Sequence, residues 1–217
     1  EGVSFFGSSS GWENKVEMGK GRSAGIEFMA QKTAGKTTGW LSYTLSKSDR
    51  KFTKGGINNG EWFPYKYDRR HSINLTINHK FSDRIDIGAS WVFYTGGTST
   101  IPEEKTTVIR PHNGANNGFL WYGTYDNTNS SPTIGDVSYI EHRNNFRLPA
   151  SHRLNLGVNF NKKTKHGMRT WNISLYNAYN AMNPAWVYRG HNKQGLSVIK
   201  KYTLLPLIPS FTYTYKF

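Results

Sequence analysis

The nine residues Pro209-Ser210-Phe211-Thr212-Tyr213-Thr214-Tyr215-Lys216-Phe217 decide the fold. Aromatic side chains stand at positions 211, 213, 215 and 217, and polar side chains stand between them. A period of two predicts a β-strand whose two faces meet different surroundings. Because chain ends usually fray in water, an aromatic strand that runs to the last residue is unexpected in a soluble protein. The pattern is typical of the closing strand of an outer-membrane β-barrel, which pairs with the first strand and carries interfacial aromatic residues.

Composition agrees with a barrel better than with a soluble domain. The 217 residues are 15% aromatic but only 36% hydrophobic, and the mean hydropathy is -0.66. A soluble chain of this composition would have a poor core, whereas a barrel needs only one apolar face on each strand. The sequence contains no run of about 18 apolar residues, so no transmembrane helix is predicted. The absence of cysteine excludes disulfides and thiolate metal sites.

The formal net charge of +14 raises the question of a nucleic-acid partner. The basic residues are scattered, with short clusters only at 162–165 and 200–201. We therefore expect no nucleic acid, and interpret the charge as loops and strand ends that meet an anionic leaflet or anionic ligands.

Alternation of apolar and polar residues continues upstream of the tail. It predicts seven strands, around residues 24–30, 41–45, 73–77, 85–93, 154–160, 171–175 and 204–217. The sixth strand loses phase near Asn177, where we expect a bulge, and is predicted to continue through 186–189. Short turns follow the first, third and fifth strands. Long connections follow the second and fourth, at 51–63 and at about 97–148, the latter predicted to be an irregular extracellular loop. The expected fold class is all-β, a transmembrane antiparallel β-barrel segment of about seven strands, with its carboxyl terminus in the periplasm.

Seven antiparallel strands cannot close a barrel with both ends on the periplasmic side. An open sheet in lipid would leave unsatisfied backbone groups along two edges. We therefore expect partner strands, either from another polypeptide or from an earlier part of the same protein. The opening residues have no signal-peptide pattern, so a mature chain or a fragment is expected, and a cut in an extracellular loop would account for this start.

Several stretches resemble the late strands of TonB-dependent transporters of the Bacteroidota. They are GKGRSAGIE at 19–27, QKTAGKTTGWLSYTLS at 31–46, FPYKYDRRH at 63–71, YNAYN at 176–180, Asn183-Pro184, and LPLIPS at 205–210. The resemblance covers nearly the whole chain. It implies a 22-stranded barrel around an N-terminal plug, of which residues 1–217 would be a single segment holding the last strands, with no plug and no TonB-contacting box.

The resemblance implies a function and a set of partners. The function would be TonB-coupled uptake of a large or scarce nutrient, such as a metal chelate, cobalamin, a glycan or a peptide. The loops at 1–15, 54–63 and 97–148 would help to capture it. The partners would be the remaining N-terminal strands and the plug, the TonB complex acting through the plug, a surface lipoprotein, outer-membrane lipids including lipopolysaccharide, and the barrel assembly machinery. The alternatives are a smaller passive barrel, acting as a pore or adhesin, and a soluble basic β-protein, which the outward aromatic faces disfavour.

The densest polar cluster is Asp68-Arg69-Arg70-His71, just before the third strand. By parity with the strand, Asp68 and Arg70 are predicted to face the lumen, and Arg69 and His71 to face outward near the extracellular rim. Arg70 is a candidate contact for an anionic substrate. The alternative, which we favour, is a structural ion pair together with a rim residue at the lipid head groups.

Other candidates lie in the loops and the tail. The aromatic loop residues Trp121, Tyr122, Tyr125 and Tyr139 either stack on a ligand or partner or pack on their own neighbours. The resemblance implies that Phe211, Tyr213, Tyr215 and Phe217 are read by the assembly machinery. The histidines at 112, 142, 152 and 191 match no metal-ligand spacing. The sequence shows no recognisable catalytic acid–base pair or activated nucleophile, so we expect the protein not to be an enzyme and to have no cofactor and no metal site.

Overall fold

The computed structural model describes residues 17–53, 56–109 and 134–217. These residues form an all-β structure of antiparallel strands, as predicted. The chain divides into two compact units, one made of Glu1–Ile101 and His142–Phe217 and the other of Pro102–Glu141. Among the described residues no helix has the length and apolar character needed to cross a membrane.

The first unit is built on one large sheet whose long strands follow each other in chain order. The strands are β1 (Lys20–Lys32), β2 (Thr37–Lys51), β4 (His71–Lys80), β5 (Ile85–Tyr94), β10 (Ser151–Thr164), β11 (Gly167–Tyr176) and β14 (Ile208–Lys216). Each pairs antiparallel with the next, and the short strand β3 (Phe63–Pro64) pairs with β2. Six of the seven predicted segments lie within one of these long strands, and the seventh, 204–217, contains β14.

The connections alternate in length, so the two ends of the sheet differ. Residues 33–36, 81–84 and 165–166 make short turns, whereas residues 52–70, 95–150 and 177–207 make long connections. Because successive strands are antiparallel, the three long connections leave the same end of the sheet. We call this the long-loop end and the opposite one the short-turn end. The short first turn contains Gly35 at φ 94°, a left-handed conformation that glycine adopts without strain.

The long connections contain strands that the sequence did not predict. In the connection after β5, β6 (Thr98–Ser99) pairs with β9 (Phe146–Arg147). The second unit contains a hairpin of β7 (Glu104–Ile109) and β8 (Ile134–Tyr139). The prediction of an irregular loop at about 97–148 was therefore wrong for these residues. In these short strands the alternation of apolar and polar residues covers too few positions to be distinguished from the surrounding polar sequence.

The connection after β11 also differs from the prediction. β11 ends at Tyr176, and residues 186–189 do not continue it but belong to a separate hairpin, β12 (Pro184–His191) with β13 (Ser197–Thr203). The last strand of the sheet begins at Ile208 rather than near residue 204. The cause is Asn177, whose φ of 55° turns the chain out of the strand.

The large sheet has one apolar and one polar face. Because directly opposed residues project to the same side, the register defines both faces. The apolar face spans all seven long strands and contains Ile26, Phe28, Ala30, Leu41, Tyr43, Leu45, Ile73, Leu75, Ile77, Ile85, Ile87, Ala89, Trp91, Phe93, Leu154, Leu156, Val158, Phe160, Trp171, Ile173, Leu175, Phe211, Tyr213 and Tyr215. The polar face contains Ser42, Thr44, Asn74, Thr76, Asn78, Asp86, Gly88, Ser90, Arg153, Asn155, Gly157, Asn159, Thr170, Asn172, Ser174, Ser210, Thr212 and Thr214.

Much of the apolar face is exposed among the described residues, although Tyr179 contacts Trp91 at its long-loop end. Ile26 is 73% exposed and Phe211 is 65% exposed, and only two hydrophobic side chains among the described residues, Phe63 and Ile101, are buried. A contiguous apolar surface of this extent marks contact with a partner or a membrane.

The sheet is open in the described residues. One edge of β1 and one edge of β14 have no partner strand there, and no closed barrel is formed. Unpaired edges present free backbone N–H and C=O groups, which are a template for further strands.

Candidate functional site

The long-loop end gathers the buried polar residues of the first unit. The most enclosed are Asp68 and Asn177, and the Asp68 side chain is 1% exposed. Its Oδ1 accepts a hydrogen bond from the Ser48 backbone N–H at 2.7 Å. Its Oδ2 accepts one from Arg147 Nη2 at 2.6 Å. Arg147 Nη1 donates to the carbonyls of Asp68 and Gly96, both at 2.9 Å. The ion pair therefore links the connection after β2 with the connection after β5.

The other three residues of the predicted cluster lie around this ion pair. Arg70 Nη2 is 3.7 Å from Asp68 Oδ2, and its side chain is 40% exposed. The Arg69 guanidinium lies 4.1 Å from the centre of the Tyr94 ring. His71 Nδ1 is hydrogen-bonded to the Tyr43 hydroxyl at 2.9 Å. The structure thus brings the cluster together at the end of the sheet, with Asp68 in the turn before β4 rather than on the strand.

Asparagine side chains hold the same two connections: Asn58 and Asn144 link one to the other, and Asn145 braces the second internally. Asn58 is buried; its side-chain oxygen accepts from the Arg143 N–H at 2.7 Å and its amide donates to the Arg143 carbonyl at 3.1 Å. Asn145 makes the same pair of bonds with the backbone of Ile101, both at 2.9 Å. Asn144 donates to the Pro64 carbonyl at 2.8 Å. An amide that pairs with both backbone groups of one residue replaces a strand-to-strand contact, so these connections are held without regular sheet.

The third long connection is held by Asn177, whose side chain is fully buried. Its side-chain amide donates to the carbonyls of Ala181 and Leu205 at 3.0 and 3.1 Å, and its oxygen accepts from the Ala181 N–H at 2.8 Å. Asn183 exchanges two hydrogen bonds with the backbone of His152 at 3.0 and 2.8 Å. These contacts give a physical role to the segment 176–184, which the sequence showed only as a resemblance.

An aromatic cluster lies where this connection meets the apolar face. The Tyr179 hydroxyl accepts a hydrogen bond from Trp91 Nε1 at 3.1 Å and is 2.8 Å from His152 Nδ1. Such rings combine an apolar body with a polar tip and suit a boundary between apolar and wet surroundings.

The aromatic residues of the tail lie on the apolar face of β14. The Trp171 ring of β11 contacts Phe211 and Tyr213, with ring centroids 5.0 and 4.5 Å apart. Tyr215 contacts Phe217, with centroids 6.3 Å apart. The predicted recognition of these side chains by an assembly machinery stays a prediction.

The predicted loop aromatics are only partly described. Tyr139 lies at the end of β8 and is 54% exposed. Trp121, Tyr122 and Tyr125 lie outside the described residues, as do the aromatic residues of 1–15. In the β12–β13 hairpin, which the sequence did not single out, Trp186 and Tyr202 stack with ring centroids 4.3 Å apart.

The polar face carries a hydrogen-bonded side-chain network near the short-turn end. Asp86 accepts from the amides of Asn159 and Asn161, both at 2.7 Å. Asn172 donates to the Asn159 oxygen, and Thr170 donates to the Asn161 oxygen, again at 2.7 Å. One carboxylate thereby organises side chains from three strands. The rest of this face has mainly Ser, Thr, Asn and Gly, together with the larger side chains of Glu27, Met29, Trp40, Val92 and Arg153.

A shallow cavity of about 440 Å³ lies at the long-loop end of the paired strands β1 and β2. Its lining includes the cations Lys20, Arg22 and Arg50, which come from both strands.

Sequence reasoning missed the residues that hold the loops. Arg147 is separated from Asp68 by 79 positions, so no local pattern connects the two. The asparagines carry a weak signal, since positive φ and side-chain-to-backbone bonding are common for this residue in turns. No protein-family model, no curated protein and no solved structure matches this chain.

Proposed function

We propose that the chain is the C-terminal part of a β-barrel importer of the bacterial outer membrane, of the TonB-dependent kind, with its carboxyl terminus in the periplasm. The observation that carries the proposal is the exposed apolar face that crosses all seven long strands, opposite a hydrogen-bonded polar face. A transmembrane barrel wall has this division, with lipid on one side and a polar interior on the other.

The strand lengths support the proposal. β4, β5 and β11 contain 10 residues each. A tilted strand of about 9–11 residues crosses the hydrocarbon core of a bilayer. The long connections at one end and short turns at the other have the asymmetry of extracellular loops and periplasmic turns.

The open edges support a larger barrel rather than a self-sufficient one. Bare strand edges cannot persist in lipid, because water is not there to satisfy the backbone groups. Further strands paired to β1 and β14 remove both edges, and a plug inside the wall would meet the polar face. The imported nutrient would be too large or too scarce for passive pores: a metal chelate, cobalamin, a glycan or a peptide.

The membrane part of the proposal is tested by cysteine accessibility, since these 217 residues contain no cysteine, and any cysteine elsewhere in the full-length protein is replaced first. In cells that produce the full-length protein, Lys193→Cys at the tip of the β12–β13 hairpin should react with a membrane-impermeant maleimide. Asp83→Cys, in the short turn between β4 and β5, should react only after the cells are opened. Equal labelling of the two variants in intact cells would contradict the proposed orientation.

The transport part is tested by uptake. Deletion of the gene should abolish growth on one limiting nutrient from a panel of iron chelates, cobalamin, glycans and peptides, and disruption of the TonB system should have the same effect. A passive pore or adhesin, the alternative, predicts that the phenotype does not depend on TonB. It also predicts that this chain alone folds in detergent and shows a heat-modifiable gel shift.

A further inference from the structure

Four cations lie on the apolar side of the sheet at the long-loop end of β1 and β2. Lys20 is directly opposite Lys51, Arg22 is opposite Asp49, and Ala24 is opposite Lys47. By the same parity that places Ile26 and Leu45 on the apolar face, these side chains project to that side. We name Lys20, Arg22, Lys47 and Lys51 the cationic rim.

A buried carboxylate holds part of the rim in place. Asp49 Oδ2 lies 3.0 Å from both Nε and Nη2 of Arg22 and 3.5 Å from Lys47 Nζ. The Asp49 side chain is only 6% exposed, whereas Arg22 and Lys47 are 55% and 52% exposed. The Arg22 guanidinium also lies 4.3 Å from the centre of the Trp62 ring. The two cations are therefore positioned in advance but remain open to a ligand.

The rim has more positive charge than its own carboxylate offsets. Asp49 balances one of the four cations, and Lys20 faces Lys51 directly across the strand pair. Like charges in that position destabilise a sheet. An anion bound between them would remove the repulsion, so the rim is suited to a group of high negative charge density.

The rim is continuous with the exposed apolar face. On the same two strands and the same side, the next residues are Ile26 opposite Leu45 and Phe28 opposite Tyr43. Four residues of strand separate Arg22 from Ile26, which corresponds to about 13 Å. A single ligand that covers both surfaces needs an anionic group joined to hydrocarbon over about that distance.

We propose that the cationic rim binds the phosphate head group of an anionic lipid whose acyl chains lie along the apolar face. Arg22 directs Nε and Nη2 at Asp49 and has Nη1 donors beyond these, and the lysines offer point charges; both kinds of cation are usual protein partners of phosphate. The inference rests on the proposed membrane location and adds to it a site and a ligand class.

The test uses the full-length protein, extracted from the outer membrane in a mild detergent and examined by native mass spectrometry and phosphate analysis. The variant is Arg22→Gln with Lys47→Gln. The matched control is Lys162→Gln with Arg169→Gln, because that cross-strand pair lies on the same face at the short-turn end. We expect the rim variant to bind at least about tenfold less lipid phosphate than the wild type and the control to retain it, since the rim variant removes two charge-assisted contacts to the phosphate.

Two further arms separate lipid from other anions and from misfolding. Arg22→Lys keeps the charge and should retain most of the lipid. Millimolar inorganic phosphate should not displace the bound lipid, because it lacks the acyl chains; complete displacement would overturn the assignment in favour of a free-anion site. Equal loss in the rim and control variants, or no loss in either, would also overturn it while leaving the protein in the membrane and the proposed function intact. A protein that fractionates as soluble would overturn both.

Discussion

Removal of the Asp68 carboxylate should loosen the long-loop end without changing the strands. Asp68 accepts one backbone hydrogen bond from Ser48 and one charge-assisted bond from Arg147, and its side chain is 1% exposed. In Asp68→Ala both acceptors disappear, and the Ser48 N–H and the Arg147 guanidinium lose their partner. Asp68→Asn keeps the size and one acceptor but removes the charge.

The expected loss of stability in Asp68→Ala depends on how exposed the side chains of Asp68 and Arg147 are. Breaking a fully buried pair costs about 3–5 kcal/mol. The Arg147 side chain is 36% exposed, so solvent offsets part of its loss. We therefore expect about 3 kcal/mol for Asp68→Ala and about half of that for Asp68→Asn. At 1.36 kcal/mol for each tenfold change, the larger value corresponds to about 150-fold faster local opening.

Hydrogen exchange of backbone amides in the full-length protein measures this opening directly. The Ser48 amide and the amides of 96–98 should exchange faster in Asp68→Ala, while amides in the middle of β10 and β11 should not change. Arg70→Gln is the matched control, because Arg70 is 3.7 Å from the carboxylate and should alter exchange by no more than about twofold. If Arg70→Gln had the same effect as Arg147→Gln, the assignment of Arg147 as the principal partner would be wrong.

Three other predictions concern single positions. Asn177→Ala removes three side-chain hydrogen bonds and a residue suited to φ 55°, and should cost about 3 kcal/mol, measured as faster proteolysis of 177–207. Phe211→Lys should reduce stability in lipid vesicles by about 2–4 kcal/mol, whereas Thr212→Lys on the polar face should be tolerated in a urea titration. A hydrogen bond from Lys80 and its charge lower the pKa of Asp83, so this contact stabilises the turn above the ordinary value of 3.8 and is lost as the pH falls through the lowered pKa. Amide exchange in 81–84 should show that loss in the wild type but not in Asp83→Asn.

The sheet was predictable because its signal is local. Each strand alternates apolar and polar residues, and this alternation survives in sequence wherever one face is apolar. The strand starts were less predictable. β1 begins at Lys20, four residues before the alternation of apolar residues starts, because the cationic rim replaces apolar side chains there. Apolar–polar alternation identifies only the part of a strand that has apolar side chains. It does not detect the charged residues that continue the same strand.

The loop geometry was not predictable because its contacts are distant in sequence. The cluster at 68–71 was visible, but its parity failed for Asp68, which lies before the strand begins. Arg147 could not be paired with it from sequence, and the hairpin of β12 and β13 was missed because residues 186–189 of β12 were assigned to the sixth strand and β13 was assigned to none. Each of these features depends on contacts between residues that are distant in sequence rather than on a local sequence pattern.

The balance of energies argues against the soluble alternative. Burial of one large apolar side chain is worth about 1.5–3 kcal/mol, and more than twenty side chains of the apolar face lie on one continuous surface. A side chain of this face that stays in water contributes none of that gain, and the net stability of a folded domain is only about 5–15 kcal/mol. The hydrogen bonds of the polar face and of the loop asparagines contribute about 1 kcal/mol net each, which is less than the burial of one large apolar side chain would contribute. The membrane-spanning wall proposed above would bury the apolar face in lipid and supply the gain that the described residues do not make among themselves.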